Sequence, residues 1–310
     1  MRIMFMGTPE ISAVCLRELI VSDNEIVAVV TGKDKPRGRG NVMTPTAVKA
    51  LALEHSLPVY TPDSLKGEDF AALLNEINPD LIAVVAYGKI LPKSVLDFPK
   101  HGCINVHVSL LPKYRGAAPM QRAIINGEKE TGVTIMYMAE GVDTGDIIAT
   151  EAFPIGAEDD FEAIHDRSAE TGAKLLVKTI ADIAEGTATR TPQDDSLATH
   201  AAKIEKEDCK IDFSRSATVL DCAIRGVTPI PGAFAYLKGK MLKIYKATPI
   251  EAKGNPGEVI AVDAKGTGSF TVACGEGALL VKGVIPEGKG KMSAGDFVRG
   301  RKIEIGDILE

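Results

Sequence analysis

The 310 residues contain no tryptophan, and only 5% are aromatic. A core built from such a chain is aliphatic, which suits a sheet covered by helices and argues against an aromatic-rich, lectin-like sandwich. Cysteine is scarce and scattered: Cys15, Cys103, Cys209, Cys222 and Cys274 form no C-x-x-C pair and no Cys/His cluster at zinc spacing. That pattern argues against a disulfide scaffold or a zinc site and points to free thiols in a reducing, cytoplasmic setting. No run reaches the roughly 18 uncharged apolar residues of a membrane span. The opening "MRIMFMG" lacks the basic and apolar regions of a leader and reads as a strand that enters the fold at once. Nucleotide-binding signatures are missing too. There is no Walker A sequence, and "MGTPE" offers Gly7 alone where a dinucleotide fold would carry three glycines, with Pro9 at the helix start.

Positive charge is in short supply over the first two thirds of the chain. Residues 1–202 carry 19 Lys and Arg against 28 Asp and Glu, whereas residues 203–310 carry 17 against 14. The overall charge of −6 disfavours a nucleic-acid partner, but the asymmetry points to a polyanion for the C-terminal part.

What is present is a regular alternation. Apolar runs at 2–7, 25–32 and 80–87 are separated by helical patterns near 9–21, 46–55 and 67–77, which predicts βαβ units and a parallel sheet. The second and third of those runs are nearly continuous Val, Ile and Ala, as strands buried on both faces require. After "CINVH" (103–107) the pattern predicts a helix over 118–125, strands over 132–138 and 147–153, and a helix over 160–185. In that helix Phe161, Ile164, Ser168, Gly172, Leu175, Leu176, Ile180 and Ile183 form one stripe at helical spacing. Periodicity fails over about 186–205. A short helix and five brief strands between 233 and 282 then suggest a small barrel of the OB type. The predicted organisation is α/β: a Rossmann-like, mostly parallel catalytic domain (1–188), a linker (189–206) and an OB-like C-terminal domain (207–310).

Three stretches carry chemistry. Asn105 and His107 end a predicted strand and point to the same side, which at the carboxyl end of a parallel strand opens on the ligand crevice. Pro112 stops the strand, so Ser109 to Pro112 must turn over that crevice. In "EGVDTGDII" a loop presents Asp143, and a carboxylate near His107 would orient the ring and support acid–base work. The same stretch also reads as a plain Asx turn. Asn105 could hydrogen-bond a developing oxyanion. An amide, an imidazole and a carboxylate, with no activated serine or cysteine in view, suit acyl transfer without a covalent enzyme intermediate. The basic segment 31–49, with Lys33, Lys35, Arg37, Arg39 and Lys49, fits either a phosphate clamp or a solvated loop. Lys238, Lys240, Lys243 and Lys246 form a second basic group on the proposed barrel.

With these motifs in hand the chain resembles the methionyl-tRNA formyltransferase family, nearly end to end: "MGTPE", "RGRG", "VVAYGKILP", "GCINVHVSLLPKYRGAAPMQRAI", "ETGVTIM", "GVDTGDI", "KIDFSRSA" and "KGKMLKIYKA". The central motif marks folate-dependent formyltransferases, and "RGAAP" narrows it to the tRNA branch. The resemblance implies transfer of a formyl group from 10-formyltetrahydrofolate to the α-amine of methionyl initiator tRNA, with no metal and no nucleotide. It implies that Asn105, His107 and Asp143 are catalytic and that Ser109, Leu110, Leu111 and Pro112 line the tetrahydrofolate site, together with Tyr87, Gly88, Ile90 and Leu91. Arg37, Arg39, Lys203 and Lys206 would meet the tRNA, and the enzyme would be a cytoplasmic monomer with no membrane partner. Val108 and Tyr114 depart from the small residue and the tryptophan common in the family. The rival readings are a formyltransferase acting on an amino sugar nucleotide or on glycinamide ribonucleotide, and a non-catalytic tRNA- or folate-binding module.

Overall fold

The structure, a computed structural model, describes residues 1–37, 40–266 and 268–310, with Arg37 described by its backbone only. Arg39 lies outside the described residues, as does the Arg37 side chain.

The alternation read from the sequence produces a seven-stranded sheet. Its strands are β1 (Arg2–Gly7), β2 (Glu25–Val30), β3 (Val59–Tyr60), β4 (Leu81–Val85), β5 (Cys103–His107), β6 (Glu130–Tyr137) and β7 (Ile147–Pro154), in the order β7-β6-β5-β4-β1-β2-β3. The ladders from β3 to β5 are parallel, and β6 runs antiparallel to β5. The sheet is therefore mostly parallel, as the apolar runs require. The chain builds outward from β1 to β3, then returns to the other side for β4 and β5. That reversal opens a crevice between the carboxyl ends of β1 and β4, where sheets of this kind place ligands.

Helices α1 (Glu10–Ile20), α2 (Ala47–Glu54), α3 (Glu68–Ile77), α4 (Lys93–Leu96), α5 (Pro119–Ile125) and α6 (Phe161–Glu185) follow the strands. α1 has Pro9 at its N-cap rather than in its first turn. Gly7 lets that helix start close to the sheet, because a Cβ there would lie 2.9 Å from the Val85 carbonyl oxygen and 2.6 Å from Ser12 Cβ. Ser12 Oγ uses the space to donate to that same carbonyl at 2.6 Å. In α6 the stripe faces inward: Ile164, Ser168, Leu176 and Ile180 are fully buried. A Cβ on Gly172 would stand 3.0 Å from Val106 Cγ1, so α6 lies directly on the strand residue between Asn105 and His107.

Beyond residue 202 the chain forms α7 (Ala217–Val227), an antiparallel sheet and α8 (Ala294–Arg299). The sheet comprises β8 (Ala233–Leu237), β9 (Lys240–Ile250), β10 (Val259–Asp263), β11 (Ser269–Ala273) and β12 (Ala278–Pro286), in the order β8-β9-β12-β11-β10, with β13 (Met292–Ser293) on β12. All five expected strands are present. Among the described pairings β8 and β10 form no ladder, so the sheet does not close on itself. Instead the last residues lie along both edges: Tyr236 and Glu310 exchange backbone hydrogen bonds, and Val259 N donates to Asp307 O. α8 escaped the sequence reading because it is short and holds Gly295; it forms because Ser293 Oγ caps the Asp296 amide at 3.0 Å.

Compactness divides the chain into two units that no single cut reproduces. Residues 1–116, 130–153 and 165–201 form one, and 117–129, 154–164 and 202–310 the other. The cause in the second unit is visible at Arg122 in α5. Its guanidinium grips Asp208 at 2.8 and 3.2 Å and also donates to the carbonyls of Ala202 and Lys203. The Arg122 hydrogen bond holds the Asp208 carboxyl below its ordinary range, with a smaller contribution from the Glu205 amide. A depressed carboxyl stabilises the folded state above its unfolded pKa, about 3.9, and loses that effect as pH falls through the lower folded value. Arg122→Ala is therefore expected to cost about 1–2 kcal/mol at pH 7, and the part of that gap owed to Asp208 is lost on acidification from about pH 5 to below pH 3, leaving the part owed to the Ala202 and Lys203 carbonyls. Denaturant unfolding at several pH values checks this.

The five cysteines are free and buried. Burial pushes the Cys15 and Cys103 thiols up to about 12 and Cys274 to about 11, so none of these three is an activated nucleophile.

Candidate active site

The site is assembled at the carboxyl end of β5. Asn105 and His107 alternate with Val106, which is turned into the core on the α6 side. His107 is buried, and its Nε2 lies 2.9 Å from the Tyr114 carbonyl oxygen. A carbonyl only accepts, so Nε2 donates. The other ring nitrogen, Nδ1, faces Asp143 Oδ2 at 3.5 Å, an ion-pair separation rather than a short hydrogen bond. An acceptor thus stands before each nitrogen, and a ring carrying both protons is matched at both. Asn105 is half-buried, and its amide makes no hydrogen bond to any described residue.

Asp143 sits on the loop after β6 with φ of +54°, a left-handed conformation that Asp tolerates better than most residues. Its Oδ2 accepts the Gly116 amide at 2.8 Å, closer than its approach to the imidazole. Oδ1 takes no hydrogen bond from any described residue. Gly145, two residues on, is buried, and a Cβ there would overlap the Tyr137 carbonyl.

The loop that stops β5 is braced from across the sheet. Thr134 of β6, paired opposite His107, is fully buried. Its hydroxyl donates to Ser109 O at 2.7 Å and accepts the Leu111 amide at 3.2 Å. Ser109 was expected to line a ligand site, but its side chain is buried and its hydroxyl donates to Lys113 O at 2.7 Å, so it closes the loop from within. Leu111 is buried, while Leu110 and Pro112 are half-buried, with Leu110 lying against Gly132.

At the reversal of strand order, the Tyr87 carbonyl accepts from Thr8 Oγ1 at 3.4 Å, so the loops after β1 and β4 meet. Tyr87 and Leu91 pack into the core, and the Tyr87 hydroxyl is buried with no hydrogen-bond partner among the described residues. Burial raises its pKa. Gly88 is exposed with φ of +81°, and Ile90 is 82% exposed, an unusual position for a large apolar side chain.

The basic residues are less free than the sequence suggests. Lys49 binds both carboxylate oxygens of Asp34 at 2.8 and 2.9 Å, and Lys33 pairs with Asp63. Lys238 pairs with Asp307, and the Lys243 ammonium donates to the Pro231 carbonyl. Lys203 is exposed 3.6 Å from Glu205, and Lys206, Lys240 and Lys246 are exposed with no partner among the described residues.

Sequence reasoning missed the segment after α6. Residues 191–201 pack on the site. Thr199 Oγ1 accepts the Tyr114 amide at 2.8 Å, and His200–Ala201 pair with Arg115–Gly116. Gln193 donates to the carbonyls of Asp143 and Gly145, both at 2.8 Å. Those partners stand 48 to 85 residues apart, and a two-residue strand has no period to detect. The only local cue was the density of hydrogen-bonding side chains in "RTPQDDSLATH".

The formyl transferase family model matches residues 1–180, and the formyl transferase C-terminal domain model matches 203–302. A methionyl-tRNA formyltransferase of Citrifermentans bemidjiense is 46% identical over 309 residues, covering 100% of this chain and 96% of the relative. One of Alkaliphilus oremlandii is 46% identical over 311 residues, covering 100% and 99%. Among solved structures, the N-formyltransferase from Helicobacter canadensis, in complex with folinic acid and dTDP-3-aminofucose, shares the fold with a TM-score of 0.66 at 19% identity, over 90% of this chain and 98% of its own. HypX from Aquifex aeolicus, in complex with tetrahydrofolic acid, does so with a TM-score of 0.64 at 21% identity, over 100% and 50%. With both domain models matched in order and full-length relatives at this identity, the chain belongs to the methionyl-tRNA formyltransferase family.

Proposed function

We propose that this protein transfers the formyl group of 10-formyltetrahydrofolate to the α-amine of methionyl initiator tRNA. The observation that carries the chemistry is the convergence of an Asn105 amide with no partner among the described residues, a buried His107 and the Asp143 carboxylate at the carboxyl end of β5. A carbon–nitrogen bond forms between the amine and the formyl carbon, and the bond from that carbon to the folate nitrogen breaks. As the amine adds, charge grows on the formyl oxygen. Asn105, whose amide bonds to no described residue, donates to that oxygen without reorganisation. His107 is held beside it by the Tyr114 carbonyl, with Asp143 on its other ring nitrogen. The amine must shed a proton. Asp143 Oδ1, which takes no hydrogen bond from any described residue, accepts it directly or through one water, and a proton passed on to the folate nitrogen as its bond to the formyl carbon breaks balances the transfer.

The folate is assigned to the crevice at the reversal of strand order. Its walls would be the loop Ser109–Pro112, shaped by the Ser109 and Thr134 hydroxyls, and the segment Tyr87–Leu91. The exposed Ile90 offers an apolar contact that a bound ring system would cover. The acceptor tRNA is assigned to Arg37, Arg39, Lys203 and Lys206, with 1–188 as the catalytic domain, 189–206 as the joining segment and 207–310 as an OB-like tRNA-binding domain. The enzyme acts as a cytoplasmic monomer.

Incubation with 10-formyltetrahydrofolate and methionyl initiator tRNA should yield N-formylmethionine after base hydrolysis, whereas dTDP-amino sugars and glycinamide ribonucleotide should remain unformylated. Formylation of either small acceptor in preference to the tRNA overturns the assignment.

A further inference from the structure

The Gln193 carboxamide is used to capacity. Its nitrogen has two protons, and they go to the Asp143 and Gly145 carbonyls at 2.8 Å each. Its oxygen accepts Arg115 Nε at 3.0 Å and Nη2 at 2.8 Å. Because carbonyls accept and a guanidinium donates, only one orientation of the amide fits. Arg115 is held in turn by Asp195 at 2.7 Å. The neighbours of Arg115 complete the arrangement, since Tyr114 O receives His107 Nε2 and the Gly116 amide binds Asp143 Oδ2. Three consecutive residues therefore hold the imidazole, the carboxamide and the carboxylate, and Gln193 closes the ring by returning to the backbone of Asp143 itself.

We infer that Gln193, oriented by Arg115, is a positioning residue that sets where the Asp143 carboxylate stands relative to His107. The inference rests on the proposed catalytic role of Asp143. Asp143 occupies a left-handed backbone conformation on a loop with exposed neighbours at Val142 and Thr144, so its side-chain direction depends on what grips its carbonyl. Within the described residues that grip is the Gln193 side chain. Glutamate at this position would keep the length and the pairing with Arg115 but would set a carboxylate against two carbonyl oxygens.

The test is single-turnover formylation of methionyl initiator tRNA by the full-length protein carrying Q193L, Q193E, D143N and the D143N/Q193L pair, across pH. Q193L and Q193E are each expected to lower the rate on the order of 10- to 100-fold, the scale of an ångström misplacement, with KM for both substrates within about twofold. Their pH–rate profiles should move toward that of D143N. On the D143N background Q193L should cost less than about threefold, because the carboxylate it positions is gone. Q193E retains the Arg115 contact and keeps the test open should Q193L fail to fold. Unchanged rates in both single variants, or an undiminished loss on the D143N background, overturn the inference. If D143N itself turns over at the parental rate, the catalytic role of Asp143 falls, and the inference with it.

Discussion

Asn105→Ala should lower turnover about 100- to 1000-fold, the usual effect of removing one oxyanion donor, while leaving the melting temperature nearly unchanged. The two halves of this expectation have one cause. The Asn105 amide makes no hydrogen bond to any described residue and is half-buried, so folding gains little from it. A structural asparagine in a strand would behave the other way round, because deleting a bonded amide strands its partner and costs about 1–3 kcal/mol. Kinetics of the variant beside a thermal melt separate the two cases. Asn105→Asp sharpens the contrast: it keeps the shape but sets a carboxylate where charge must develop, and it should be at least as impaired as Ala.

The second large effect is expected at Gly145. A methyl group there would meet the Tyr137 carbonyl, and Tyr137 is fixed because its amide donates to Asp146 O at 2.9 Å. Neither neighbour can yield without breaking the end of β6. Gly145→Ala should therefore destabilise the protein by about 1–3 kcal/mol and lower activity on the order of 100-fold, because the displaced carbonyl of Gly145 is one of the two that Gln193 holds. Denaturant unfolding and formylation rates measured on the same preparation check both effects. Gly141→Ala is a useful contrast, since the atoms a Cβ would meet there belong to the exposed Thr144 side chain, which can rotate away.

Those two residues also show what the sequence could and could not convey. β2 and β4 were legible because a strand buried on both faces is a nearly uninterrupted apolar run, and α6 because its stripe repeats over about six turns. Asn105 and His107 followed from strand alternation alone. The direction of the Ser109 side chain did not, since a turn, unlike a strand, has no alternation to fix which way a hydroxyl points. The hairpin Lys35–Arg37 with Val42–Thr44, the pair Arg115–Gly116 with His200–Ala201, and β13 were invisible because two or three residues hold no period. The contact between α5 and the segment after α6 was equally hidden. Arg122 draws 202–208 toward α5 through hydrogen bonds spanning about 80 residues, and composition carries no trace of that.

The measurement closest to the central claim is the rate of formyl transfer from 10-formyltetrahydrofolate to methionyl initiator tRNA by the parent, His107→Ala and Asp143→Asn, with folate binding determined for each. Losses on the order of 10²- to 10⁴-fold in rate, with folate still bound, are the expected result. Transfer at the parental rate by either variant would contradict the account, because the reacting centre would then lie elsewhere than at the end of β5.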